Sequence, residues 1–339
     1  MTIDREIRCE LMERLHAPFF RTGRDKHLEK EMLHLVDWMF VSAKLPRPEG
    51  RLLVVAGPSG AGKTLSINQC LRRVPSVKEQ GLLSVLTPSP CTLKALGWAF
   101  LDAMDYELET ERADHLIWKM VRTHLRRHAI KFVWLDEAHH AMGRGTDKDL
   151  TKICDTIKSL LQTDGWPISL IISGLPTVSS FAGHDRQVER RSRTVRFDSL
   201  SFRQNTDRLR KLVKDVVSDH GCMAMDGILQ DNDFLERLCS AAEGAFGEII
   251  KLCRAAVLAA FDRGGPRATV GIEDFADAYT HERGCRLNGN IFLLNGWQEV
   301  QPANSRLDDL QEPSDRTRTR PEGGQGRHGG QQARRRARS

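Results

Sequence analysis

Along residues 51–200, short apolar runs alternate with longer segments whose apolar positions fall three and four apart. The runs 52–56, 83–86, 132–135, 168–172 and 194–197 read as strands, and the segments 63–74, 93–104, 113–128, 148–163 and 177–188 read as helices. Strand–helix alternation demands right-handed crossovers, so this stretch predicts a parallel five-stranded α/β sheet with helices on both faces. Residues 1–50 read as an N-terminal helical segment, with Leu28, Met32, Leu35, Val36 and Met39 at helical spacing and a break at Arg47-Pro48-Glu49-Gly50. Residues 201–285 carry only helical patterns. Leu209, Leu212, Val213 and Val216 form one apolar stripe, and Ile249, Leu252, Cys253, Ala256 and Ala260 form another, which predicts a small all-α lobe. Residues 286–305, with Ile291, Phe292 and Trp297, read as a final docking segment.

Composition narrows the picture. The 339 residues suit a larger and a smaller lobe, and 40% hydrophobic residues suffice for a sizeable core. The 6% aromatic share is low for a protein that stacks single-stranded bases. The net charge of +6 is compatible with DNA contact without establishing it. The excess is uneven: within the tail 306–339, the stretch from Arg316 onward holds Arg316, Arg318, Arg320, Arg327, Arg334, Arg335, Arg336 and Arg338 against Glu322. With so little apolar surface to bury, this tail is expected to be disordered. The eight cysteines show no metal-binding spacing and read as small buried hydrophobes of a reducing cytoplasm. The charged start lacks an apolar signal core and no run is long enough to span a bilayer, so a cytoplasmic chain with no membrane partner is expected.

The chemistry is concentrated where the first strand ends. Gly57-Pro58-Ser59-Gly60-Ala61-Gly62-Lys63-Thr64 links that strand to a helix that continues with Leu65. This is the glycine-rich loop whose backbone N–H groups cradle phosphates, aided by the positive end of the helix. Lys63 would reach the terminal phosphates of ATP and Thr64 would hold Mg²⁺. The strand 132–135 runs into Asp136 and Glu137. There a first carboxylate can hold Mg²⁺ and the next can orient the attacking water. Ser173, at the end of the following strand, would lie near the γ-phosphate. Glu189-Arg190-Arg191-Ser192-Arg193 precedes the last strand, and one of Arg190, Arg191 and Arg193 would stabilise transition-state charge in a neighbouring copy's site. Asp136-Glu137-Ala138-His139 spells a helicase box, but a helicase of that kind needs a second sheet domain. His139 and His140 lack a third ligand at suitable spacing, which favours a solvated or packing role.

This motif order resembles the AAA+ ATPases, and within them the TniB/TnsC family of transposition regulators, relatives of MuB. The likeness rests on residues 57–64, Leu135-Asp136-Glu137-Ala138-His139, Ile172-Ser173-Gly174-Leu175-Pro176 and residues 190–197. Phe19-Phe20-Arg21-Thr22-Gly23-Arg24 also looks like the adenine-side segment of initiator-type AAA+ proteins. The resemblance implies a nucleotide-binding domain over 51–200 and a lid over 201–285. It also implies a homo-oligomer, ring or filament, built on double-stranded DNA, which marks a target for a DDE transposase, works with a target-selector protein and disassembles on hydrolysis. Pore-facing loops would place Thr92, Lys94, Arg144 and Lys148 on DNA phosphates. One departure stands out: around Gly244-Ala245-Phe246-Gly247-Glu248 the lid lacks the usual phosphate-sensing arginine, for which Lys251 is the nearest substitute. Two other classes fit the same motifs, a loader or remodeller acting on a protein and a nucleotide switch that does not assemble.

Overall fold

A computed structural model describes residues 2–107, 112–141, 147–163, 165–183, 185–285 and 289–300. The arginine-rich tail and Arg144 lie outside the described residues. Two helices open the chain, α1 (Thr2–His16) and α2 (Gly23–Ser42). Then follow β1 (Leu52–Ala56), α3 (Lys63–Arg73), the short α4 (Ser76–Glu79), β2 (Leu82–Leu86), α5 (Leu93–Asp102), α6 (Asp114–Arg127), β3 (Phe132–Asp136), α7 (Asp147–Leu161) and β4 (Ser169–Gly174). The short α8 (Ser179–Gly183) and α9 (Arg186–Glu189) lead into β5 (Ser192–Arg196). A helical lobe closes the fold: α10 (Phe202–Lys214), β6 (Ala224–Met225), α11 (Asn232–Ala241), α12 (Phe246–Gly264), β7 (Thr269–Val270) and α13 (Ile272–Arg283).

The five long strands form one parallel sheet in the order β2-β3-β4-β1-β5. Alternation along β1 divides its core. Leu52, Val54 and Ala56 face the layer of α5, α6 and α7, whereas Leu53 and Val55 face the layer of α2 and α3. Both faces are therefore dry, and β1 and β4 are buried along their whole length. In the lobe, Leu209, Leu235, Ile249, Val257 and Phe275 build a separate core that also takes in Leu11 and Leu15 of α1 and Ile291, Phe292 and Trp297 near the chain's end. Helix α1 thus packs on the lobe, while α2 packs on the sheet through Leu28, Met32 and Val36. The lobe is helical apart from the two-residue pairing of β6 with β7.

The helix expected over 177–188 is broken. Pro176 starts a single 3-10 turn, α8 stops at Gly183, and Asp185 begins α9 by accepting the N–H groups of Gln187 and Val188. A carboxylate that caps a new helix competes with continuation of the old one.

Candidate nucleotide site

All five strands are parallel, so their carboxyl ends lie along one edge, and the order β3-β4-β1 puts three of them side by side. The loop 57–64 leaves β1 there. Gly57 N–H donates to Gly174 O at the end of β4 (3.2 Å), anchoring the loop to the neighbouring strand. A Cβ on Gly57 would sit 2.6 Å from Phe197 O, and Gly62 takes a left-handed φ of 87° at the start of α3. Each position therefore requires glycine for a different reason, close approach at one and backbone conformation at the other.

Lys63 is buried, and its ammonium donates to the loop's own carbonyls, Gly57 O at 2.9 Å and Pro58 O at 2.8 Å. Burial draws this lysine below its ordinary range, against the opposing pull of Glu137 and Asp136. Thr64 Oγ1 donates to Asp136 Oδ2 (2.9 Å), and Ser173 Oγ donates to Asp136 Oδ1 (2.6 Å). Ser173 is fully buried and itself accepts from Trp134 Nε1 at 2.8 Å. A chain of hydrogen bonds thus runs Trp134–Ser173–Asp136–Thr64 across β3, β4 and the first turn of α3. It fixes the carboxylate's orientation and uses up the serine hydroxyl. Replacing Ser173 by Ala leaves Trp134 without an acceptor and Asp136 short of a donor. We expect a loss of about 1–3 kcal/mol in denaturant-measured stability; an unchanged unfolding midpoint would contradict the relay.

Glu137 follows in a left-handed conformation, φ 52°, and its N–H donates to Asp136 Oδ1 at 3.0 Å. Its carboxylate lies beside His139, whose Nδ1 is 3.1 Å from Glu137 Oε2. Burial and the adjacent His140 hold His139 below the usual imidazole range, against the raising pull of Glu137. The third partner that sequence spacing failed to supply for His139 and His140 is therefore Glu137 itself.

The lobe meets the phosphate loop directly. Gly247 N–H, in the first turn of α12, donates to Gly60 O at 2.8 Å, and a Cβ on Gly247 would lie 2.5 Å from that oxygen. The residue that stands where a sensing arginine was missed is thus a backbone latch that only glycine permits. Lys251, the nearest substitute, pairs with Glu282 of α13. We expect Gly247→Ala to destabilise the lobe–loop contact by about 1–3 kcal/mol, measured as a lowered unfolding midpoint; no change would contradict the latch. Beside it, Arg24 lies over the rings of Phe197 (4.9 Å) and Phe246 (5.4 Å), and Arg208 lies over Phe246 (4.8 Å). Arg24 Nε, Arg208 Nη2 and Asp25 Oδ1 are buried without hydrogen-bond partners. Such orphaned polar atoms mark a place where a polar ligand group would be held.

The three candidate arginines sit elsewhere. In the register of β5 against β1, Ser192 stands opposite Leu52 and Arg196 opposite Ala56. At about 3.3 Å per residue, the arginines before Ser192 lie roughly 13 Å or more below the phosphate-loop edge. Arg191 pairs with Glu49 (2.7 Å), Arg193 pairs with Glu31 (2.9 Å), and Arg190 is exposed. Arg196, which sequence reasoning did not single out, shares a groove with Gly57 and Pro58 at the other end of the strand. Of the residues considered for DNA, Thr92 caps α5 by accepting Ala95 N–H (3.1 Å), and Lys94 lies 5.4 Å from the ring of Trp98, itself 40% exposed. Lys148 falls in the first turn of α7. Among the described residues, no helix is long and apolar enough to cross a membrane.

Comparison with known proteins agrees with this architecture. Residues 47–180 match a family described as an AAA domain. Cdc6p from Pyrobaculum aerophilum superposes with a TM-score of 0.56 at 14% identity, over 83% of this chain and 76% of that one. The ORC1 protein of Aeropyrum pernix, solved in complex with DNA, gives 0.54 at 18% identity over 82% and 73%. The ORC2 protein of the same organism, solved as ADPNP–ADP complexes, gives 0.55 at 14% over 81% and 72%. The chain shares the fold of these proteins, with an AAA domain over its sheet. A guanylate kinase from Corynebacterium efficiens is 25% identical over 81 residues, 24% of this chain and 43% of the kinase, so the match spans less than half of that relative.

Proposed function

We propose that the chain is an ATP-dependent regulator of DNA transposition. In this reading it binds ATP and Mg²⁺, assembles on duplex DNA, links target selection to a DDE transposase, and disassembles on hydrolysis. The observation that carries the nucleotide half is the convergence of Lys63, Thr64, Asp136 and Ser173 on one edge of the sheet, with two carboxylate oxygens already aligned by hydroxyl donors. Lys63 would donate to the triphosphate in place of the loop carbonyls, and Thr64 and Asp136 would hold Mg²⁺, which would neutralise charge on the phosphates. Glu137 would orient the attacking water. Ser173, fully buried, would act by holding Asp136 rather than by touching water. The base would lie toward Arg24, Phe197 and Phe246, where the orphaned polar atoms are.

The assembly half rests on two features. The arginines before β5 stand too far from their own phosphate loop to reach it, which fits action on a neighbouring copy. A groove of about 450 Å³, lined by Trp38, Arg51, Arg190, Arg191 and Arg193, offers that neighbour a seat. Contact with DNA draws support from the fold shared with the ORC1 protein solved in complex with DNA. The transposition assignment draws on the motif likeness to TniB/TnsC regulators. Electron microscopy of the full chain with a slowly hydrolysed ATP analogue tests the reading. Rings or filaments on duplex DNA that vanish without nucleotide are expected. Assembly indifferent to DNA would favour a remodeller of a protein partner, and a monomer under every condition would reject the proposal.

A further inference from the structure

The turn after β3 gathers more ligand atoms than nucleotide hydrolysis uses. Glu137, His139 and His140 each bring one donor atom to within 4.8 Å of the others. The left-handed backbone at Glu137 makes this possible, because it curls the chain so that residues two and three apart face the same side. Glu137 Oε2 and His139 Nδ1 are 3.1 Å apart, yet the nitrogen is buried and takes no hydrogen bond. Neighbouring ligands of a tetrahedral cation with bonds of about 2.0–2.2 Å are separated by roughly 3.4 Å. The pair therefore already spans one edge of such a site. The His140 ring follows, its centroid 4.2 Å from that of His139 and tilted by 36°. Gly174 backs the cluster: a Cβ there would come within 3.2 Å of His139 Nδ1, so the absence of a side chain leaves the imidazole its place.

The donor set identifies the ligand class. Two imidazoles and one carboxylate suit a borderline divalent cation, whereas Mg²⁺ takes oxygen ligands and keeps its waters. Three protein ligands leave a fourth position for water. We propose that Glu137, His139 and His140 form a Zn²⁺-class site, separate from the Mg²⁺ position beside Thr64 and Asp136. While this site is filled, the Glu137 carboxylate is a ligand and is withdrawn from any other use. Resting on the role assigned to Glu137 above, Zn²⁺ then arrests hydrolysis with ATP still bound.

The decisive measurement needs no nucleotide. The full chain, with Mg²⁺ present, is titrated with Zn²⁺ by calorimetry and with Co²⁺ by visible absorption. One saturable site with tetrahedral Co²⁺ bands is expected. His140→Gln, a change at a half-buried ring, should weaken Zn²⁺ at least about tenfold, the lower end of what even outer partners of a metal site cost. Replacing Cys9 and Cys222, the exposed thiols, by Ser should leave the affinity unchanged. Absence of a Zn²⁺ site, or an affinity that His140→Gln and His139→Gln both leave intact, overturns the proposal whether or not the chain hydrolyses ATP. In a turnover assay, His140→Gln should require at least tenfold more Zn²⁺ for half-inhibition; equal inhibition of both proteins would sever the link to Glu137.

Discussion

Lys63→Ala should lose ATP affinity by roughly 30- to 150-fold, the equivalent of about 2–3 kcal/mol for a hydrogen bond to a charged group. Lys63 is only 7% exposed, and its ammonium is held at the loop by Gly57 O and Pro58 O. In the proposed reading, a triphosphate replaces those carbonyls as the stronger acceptor. The alanine variant leaves the carbonyls of buried Gly57 and half-buried Pro58 without this donor. It leaves the phosphates with backbone donors alone. The fold should survive, since the residues packed between α3 and the sheet are Ile67, Cys70 and Leu71 rather than the lysine stem. Nucleotide-dependent binding to DNA should disappear with the affinity. Fluorescent-nucleotide titration of folded variant and parent checks this, and equal affinities would remove Lys63 from the site.

Glu137→Gln should do the opposite to the bound state. Loss of the carboxylate removes the group that orients and polarises water, an effect of about 10²–10⁴ in rate for a general base. ATP affinity should change little, because Thr64 and Asp136 keep their mutual hydrogen bond and the glutamine fits the same turn. The assembly on DNA should then outlive that of the parent protein, visible as slowed dissociation after dilution into excess competitor DNA. Turnover equal to the parent's would show that another group orients the water.

Much of this site is legible in the sequence because its parts are local. The phosphate loop is eight consecutive residues between an apolar run and an amphipathic one, and Asp136 and Glu137 end a run of four buried residues. The parallel sheet follows from short, largely apolar runs that alternate with helical segments, a pattern that calls for crossover connections. What sequence does not reveal depends on strands or lobes meeting in space. Trp134 reaches Ser173 only because β3 and β4 are neighbours. Gly247 reads as a missing arginine until the lobe is seen resting on Gly60. Glu137 joins His139 and His140 through one left-handed residue, a backbone state that no periodicity encodes. The arginines before β5 are conspicuous in the chain, but only the register against β1 places them at the far end of the sheet from the loop.

Everything proposed for assembly presupposes that the edge formed by residues 57–64, Asp136 and Ser173 takes up a triphosphate with magnesium. Isothermal calorimetry of the purified chain with ATP tests that most directly. The account predicts saturable heat for one site per chain, weakened when Mg²⁺ is chelated and much diminished by Lys63→Ala. A flat titration with folded protein, or heat that is indifferent to both changes, would contradict it.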